Sequence, residues 1–119
     1  MDACDRTIEH LRSAGLLCYK PGIAKGKCSA PYVVVRGGGS YAQGMSGAAS
    51  IGYRIVTLYC FVPREKGDLA ELVCRVKDAM HALGGQLRPT GNEGPEMIEQ
   101  DYDARSQSIE YRVLRAQKR

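Results

Sequence analysis

The succession of elements that the sequence predicts is helix, strand, strand, strand, helix, strand, strand. It places the chain in the α+β class: a mostly antiparallel sheet of four to five strands, open to mixing by one parallel pair, with two helices packed on one face. Three observations lead there. Residues 53 to 62, Tyr-Arg-Ile-Val-Thr-Leu-Tyr-Cys-Phe-Val, are β-branched and aromatic and apolar on both alternating sides except at Arg54, as a strand covered on both faces requires. Leu69, Leu72, Val73, Val76, Met80 and Leu83 then recur at offsets of three, four, seven, eleven and fourteen, the single stripe of an amphipathic helix. Finally, loops rather than helices join most consecutive strands, which favours antiparallel pairing. The helix after the third strand leaves room for a parallel pair across its crossover.

At 119 residues the whole of 1–119 reads as a single domain, able to bury about two thirds of its unfolded surface without disulfides or metal. Residues 2–14 suit a short helix capped by Asp2 and stopped at Gly15, with Cys4, Ile8 and Leu11 on its apolar side. Leu16 to Tyr19 can form a short strand before the Pro21-Gly22 turn, and Ile23 to Ala30 is basic and irregular. Tyr32 to Arg36 is a covered strand. The stretch 37–47, with five glycines in eleven residues, reads as a flexible Gly-rich loop carrying two large apolar side chains, Tyr41 and Met45, suited to ordering on a partner. Pro63 ends the central strand, Asp68 is placed to cap the second helix, and Gly84-Gly85 to stop it. A short strand at 86–88, a turn-rich loop at 89–95, an acidic run at 96–103 and an alternating, half-exposed strand at 106–114 complete the chain.

Charge is segregated along the sequence. No acid lies between Glu9 and Glu65, where Arg12, Lys20, Lys25, Lys27, Arg36, Arg54 and Arg64 are basic; Glu93, Glu96, Glu99, Asp101 and Asp103 then form an acidic block with no base among them. Such blocks suit either a solvated surface or the two complementary sides of a head-to-tail self-association. The five cysteines, Cys4, Cys18, Cys28, Cys60 and Cys74, are odd in number and contain no Cys-x-x-Cys pair, so they read as buried hydrophobes or free thiols. No apolar run approaches the roughly 20 residues of a membrane helix, and the acidic start lacks a signal-peptide pattern. A cytoplasmic chain with no membrane partner is expected.

Motifs for chemistry fall short. Gly37-x-Gly39-x-x-Ala42 follows a strand, but Gly44 and Gly47 oppose the helix that a dinucleotide fingerprint needs. Gly22 to Cys28 is one residue short of a phosphate loop and carries Cys28 where a hydroxyl must reach magnesium. His10 and His81 fall on different helices without a metal-ligand set, and the acidic block lacks calcium-loop spacing. The expectation is no enzyme, no catalytic residue, no cofactor and no metal. Two other classes stay open: a nucleic-acid-binding module using the basic half with Tyr19, Tyr32, Tyr41 and Tyr53, and a small hydrolase or regulatory enzyme with a pocket near the acidic run.

The Tyr19-Lys-Pro-Gly turn, the Lys27-Cys-Ser-Ala-Pro-Tyr-Val-Val-Val35 strand, the glycine-rich stretch, the Tyr53-to-Pro63 strand, the helix with Val76-Lys-Asp-Ala-Met80 and the closing Ser106-Gln-Ser-Ile-Glu-Tyr-Arg112 together resemble small tail-assembly proteins of tailed phages and prophages, most of all the tail terminator (tail completion) group. The resemblance spans nearly the whole chain. It implies a structural virion-assembly protein that forms a homohexameric ring, ends polymerisation of the tail tube, and joins the tail to the neck. Its partners would be itself, the tail tube protein, a head-tail connector protein, and DNA passing through the channel. Its place would be the tail or neck of the virion, assembled in the host cytoplasm. Another head-tail completion protein is the near alternative. The residues expected at interfaces are Tyr41, Met45, Lys25, Lys27, Arg64, Glu93, Glu96, Glu99, Asp101 and Asp103.

Overall fold

The structure is a computed structural model that describes residues 3–23, 26–40, 54–83 and 87–113. It contains two helices, α1 (Ala3–Ser13) and α2 (Leu69–Leu83), and six strands: β1 (Cys18–Tyr19), β2 (Tyr32–Ser40), β3 (Arg54–Pro63), β4 (Leu87–Glu93), β5 (Met97–Glu99) and β6 (Ala104–Val113). The strands form one sheet in the order β1-β2-β3-β6-β4, with β5 also on β6. The fold is therefore α+β.

Local chemistry sets the helix ends. At the end of α1, Gly15 sits at φ +90° and donates its N–H to the Arg12 carbonyl, while the Leu16 N–H reaches back to Leu11 O, each at 3.0 Å. These are the paired closing bonds of a Schellman motif, and buried Leu11 and Leu16 supply its apolar contact. Asp68 caps α2: its Oδ1 accepts the Glu71 N–H at 3.0 Å. The expected caps at Asp2 and Gly84-Gly85 lie outside the described residues.

Both helices pack on one face of the sheet. Val33 and Val35 of β2, Val56, Leu58, Cys60 and Val62 of β3, and Ile109 and Tyr111 of β6 point there, none more than 4 % exposed. They meet Ile8 and Leu11 of α1 and Leu69, Leu72, Val73, Val76 and Met80 of α2 in one core. The His10 Nε2–H donates to Ala79 O at 2.7 Å, tying α1 to α2 and giving this histidine a structural role.

Three features differ from the sequence reading. First, β2 continues through Gly37, Gly38, Gly39 and Ser40 instead of entering a loop at 37, and Ser40 pairs with Arg54. A Cβ at Gly37 would stand 2.8 Å from Cys4 Sγ, and one at Gly38 would stand 3.1 Å from Ile55 O. These glycines let α1 and β3 come close to the strand, which is a role glycine plays inside sheets as well as in loops. Residues 41–47 of the expected loop, with Tyr41 and Met45, lie outside the described residues.

Second, the expected loop at 89–95 is strand as far as Glu93. β4 and β5 are successive pieces of one edge that pairs antiparallel with β6 from Leu87↔Val113 to Glu99↔Ala104. Register slips between Pro89 and Glu93, and Gly91 takes φ +90° there. Proline and glycine at these positions mark a bulged edge strand. Third, the parallel pair is β1 with β2, Cys18↔Val33 and Tyr19↔Val34. β3 and β4 do run in the same direction across the α2 crossover, but β6 lies between them.

Candidate functional site

The segment 26–30 and the turn after β5 meet on the face of the sheet opposite the helices. The Cys28 N–H donates to Tyr102 O at 2.7 Å, and a 3-10 turn at Gln100–Tyr102 leads into Asp103. Asp103, at φ 51°, is the one described non-glycine residue with positive φ, a conformation aspartate tolerates better than most. Its N–H donates to Gln100 O at 3.3 Å and its carbonyl accepts the Arg64 N–H at 3.0 Å. This turn holds the carboxylate between Lys27, at 3.6 Å, and Arg64, at 3.8 Å. An open groove of about 540 Å³ runs beside the three, past Ser29, Glu65 and Lys66.

Of the ten residues expected at interfaces, Lys27, Arg64 and Asp103 thus come together within one chain. The remaining acids are spread along the β4–β5 edge. Glu93 pairs with Lys77 of α2 at 2.7 Å, Glu96 with Arg105 at 3.1 Å, and Glu99 accepts the Ser106 hydroxyl at 2.9 Å. Asp101 is exposed and has no ion pair among the described residues. Lys25, Tyr41 and Met45 lie outside the described residues.

The helix-free face gathers Tyr19, Tyr32 and Arg36, which the sequence offers for nucleic-acid contact, with Phe61, Tyr102, Arg88 and Arg112, which the linear pattern does not single out. At one end Tyr32 stacks on Phe61 with centroids 4.9 Å apart, while Tyr19 and Tyr102 meet this pair edge-on at 5.6 and 6.2 Å. Burial, reinforced by the nearby Cys28, Tyr102, Tyr19 and Glu99, whose ionised forms repel a phenolate, pushes the Tyr32 phenol up to about 12. At the other end the registers Arg36↔Thr57↔Glu110 and Ile55↔Arg112↔Arg88 place three arginines on this face. Glu110 among them accepts from Thr90 Oγ1 at 2.7 Å and Asn92 Nδ2 at 2.8 Å. Alternation along β2, β4 and β6 was the available signal; without the register it does not show which residues stand side by side.

A second cavity, of about 500 Å³, opens between α2 and the bulged β4 edge, with Met80, Leu87 and Ile109 within and Lys77, His81 and Glu93 around it. Among the described residues no group of three or more His, Cys, Asp or Glu can hold a metal, and no described helix is long and apolar enough to cross a membrane. Burial pushes the thiols of Cys18 and Cys60 up to about 11 and about 12 and raises that of Cys28, so all three are protonated at neutral pH and weak nucleophiles.

The exposed large hydrophobic residues gather at the two edges of the sheet. Leu17 and Ile23 flank β1, 50 % and 63 % exposed, and Met97 and Ile98 form β5, 53 % and 54 % exposed. No protein-family model matches the chain, and no curated protein matches it.

Proposed function

We propose that the chain is a structural tail-assembly protein of the tail terminator kind, which forms a ring, ends polymerisation of a tail tube and joins the tail to the neck. The observation that supports this reading is the unlike character of the sheet's two edges. Lys20 and Arg36 lie along the β1–β2 side, and Glu93, Glu96, Glu99 and Asp101 outnumber the single cation Arg88 along the β4–β5 side. Opposite charge on opposite edges of one small domain suits a head-to-tail contact, the kind that generates rings when its rotation closes. Intrachain pairing does not remove these charges from use, because exposed pairs such as Lys20 with Asp5, at 3.5 Å, contribute little and exchange readily. The test is negative-stain imaging and sedimentation of the protein alone and mixed with its tail tube protein. Hexameric rings, or tubes halted at a set length, are expected; tubes that grow on unchanged overturn the reading.

The face bearing Arg36, Arg88 and Arg112 beside half-buried Tyr59 favours a second reading, a single-stranded nucleic-acid module, in which guanidinium groups meet phosphates and aromatic rings meet bases. Titration with single-stranded DNA over a range of salt separates the two: tight, steeply salt-dependent binding lost in Arg36→Glu supports the second.

A further inference from the structure

We infer that the contact between successive copies is made by β5 of one chain, whose Met97 and Ile98 insert into a cleft beside β1 of the next. The inference rests on the ring reading and names its interface. That cleft, of about 220 Å³, is lined by Leu17, Tyr19, Ile23, Lys27 and Tyr32. It has room for an aliphatic side chain. The exposed large hydrophobics form two pairs, one on each edge of the sheet. Beside the cleft stand Lys20 and Lys27, each in an exposed pair with Asp5 or Asp103, and around β5 stand Glu96, paired with Arg105, Glu99, and Asp101, which has no ion pair among the described residues. Exposed apolar pairs with complementary charged rims are what a protein contact surface requires.

Register puts the two pairs level with one another. Reading across the strands, Tyr19↔Val34↔Tyr59↔Ser108 is one row, and Tyr32↔Phe61↔Ser106↔Met97 lies two residues away along β2. The pairs therefore stand at nearly the same height, separated by four strand spacings, or about 19 Å. Repeated head-to-tail, such a contact carries little stagger along the strands.

Main-chain pairing between the edges is blocked on the β1 side. The Arg12 guanidinium donates from Nε and Nη2 to Cys18 O at 3.0 and 2.8 Å, occupying the β1 edge. Pro89 and Gly91 interrupt the other edge only along β4. Side chains must therefore make the contact. Four apolar residues and a few charges fall short of the roughly 1,000 Å² a lasting interface buries, so each contact is weak alone and effective when subunits are held together.

The test places the photo-crosslinking residue p-benzoylphenylalanine at exposed Ile98, mixes ordinary and ¹⁵N-labelled chains at millimolar concentration, irradiates, and maps cross-links by mass spectrometry while the same sample is imaged. Links of mixed isotope from 98 to residues 17–23 are expected. Their yield should fall several-fold in Asp101→Lys and return when Lys20→Asp is added. Rings with links from 98 that map elsewhere overturn this contact and leave the ring standing. Neither rings nor mixed-isotope links overturns both.

Discussion

The two faces of the sheet are built from alternate residues of the same strands, yet they are held in different ways. On the helix side, Val, Leu and Ile interdigitate with two amphipathic helices and are nearly free of solvent contact. On the other side no described helix lies; Cys28, Tyr32 and Ala104 are buried by stacked rings and by the segment 26–30, and beyond Tyr59 the face turns to arginine. The first face makes the fold stable. The second leaves half-exposed rings and cations at the surface, and those are what a partner would use.

The largest effect that sharpens this contrast is Leu58→Ala on the covered face, expected to cost about 3 kcal/mol in urea unfolding because it leaves a cavity in a close-packed core. Phe61→Ala, three residues along and on the opposite face, should cost less, about 2 kcal/mol, since its ring is only partly buried. Equal losses would make the aromatic end a core in its own right. Alkaline pH is the next probe. Burial pushes both Tyr32 and Tyr111 up to about 12, whereas an unfolded tyrosine ionises near 10. The folded state holds these protons more tightly, so the associated stability is complete below pH 10 and lost as pH rises from 10 to 12. Tyr32→Phe and Tyr111→Phe should each flatten that decline; a flattening by Tyr111→Phe alone would show the open face wetter than the geometry has it. Thiol labelling at pH 8 gives a smaller, kinetic distinction: exposed Cys74 should react at once, and Cys18 and Cys60 only as the protein unfolds. Smallest of all, Lys77→Ala removes an exposed ion pair to Glu93 at the rim of the helix side and should shift stability by less than about 0.5 kcal/mol.

The covered face was legible in the sequence because it obeys local periodicity. The α2 stripe, the β3 run, the Asp68 cap and the Gly15 stop each follow from neighbours a few residues away. Gly37 to Ser40 and the 89–93 stretch were misread for one reason: glycine and proline are turn signals in a linear scan, yet here they serve close approach and a bulge. The convergence of Lys27, Arg64 and Asp103 depends on pairings across distant segments, which no local pattern encodes. Exposure of Leu17, Ile23, Met97 and Ile98 was equally hidden, since an apolar residue at an edge looks in sequence like one in a core.

The position of β6 bears on how the chain is made. This strand pairs with β3, β4 and β5, yet it is the last described element to leave the ribosome. Until Ala104–Val113 emerges, β3 has β2 as its only neighbour in the sheet, and ten residues of strand edge remain unpaired. The final pairing spans some of the longest sequence separations in the fold, so it closes slowly. A translation arrest before Ala104 would leave an adhesive nascent chain, and such a fragment should depend on chaperones to stay in solution.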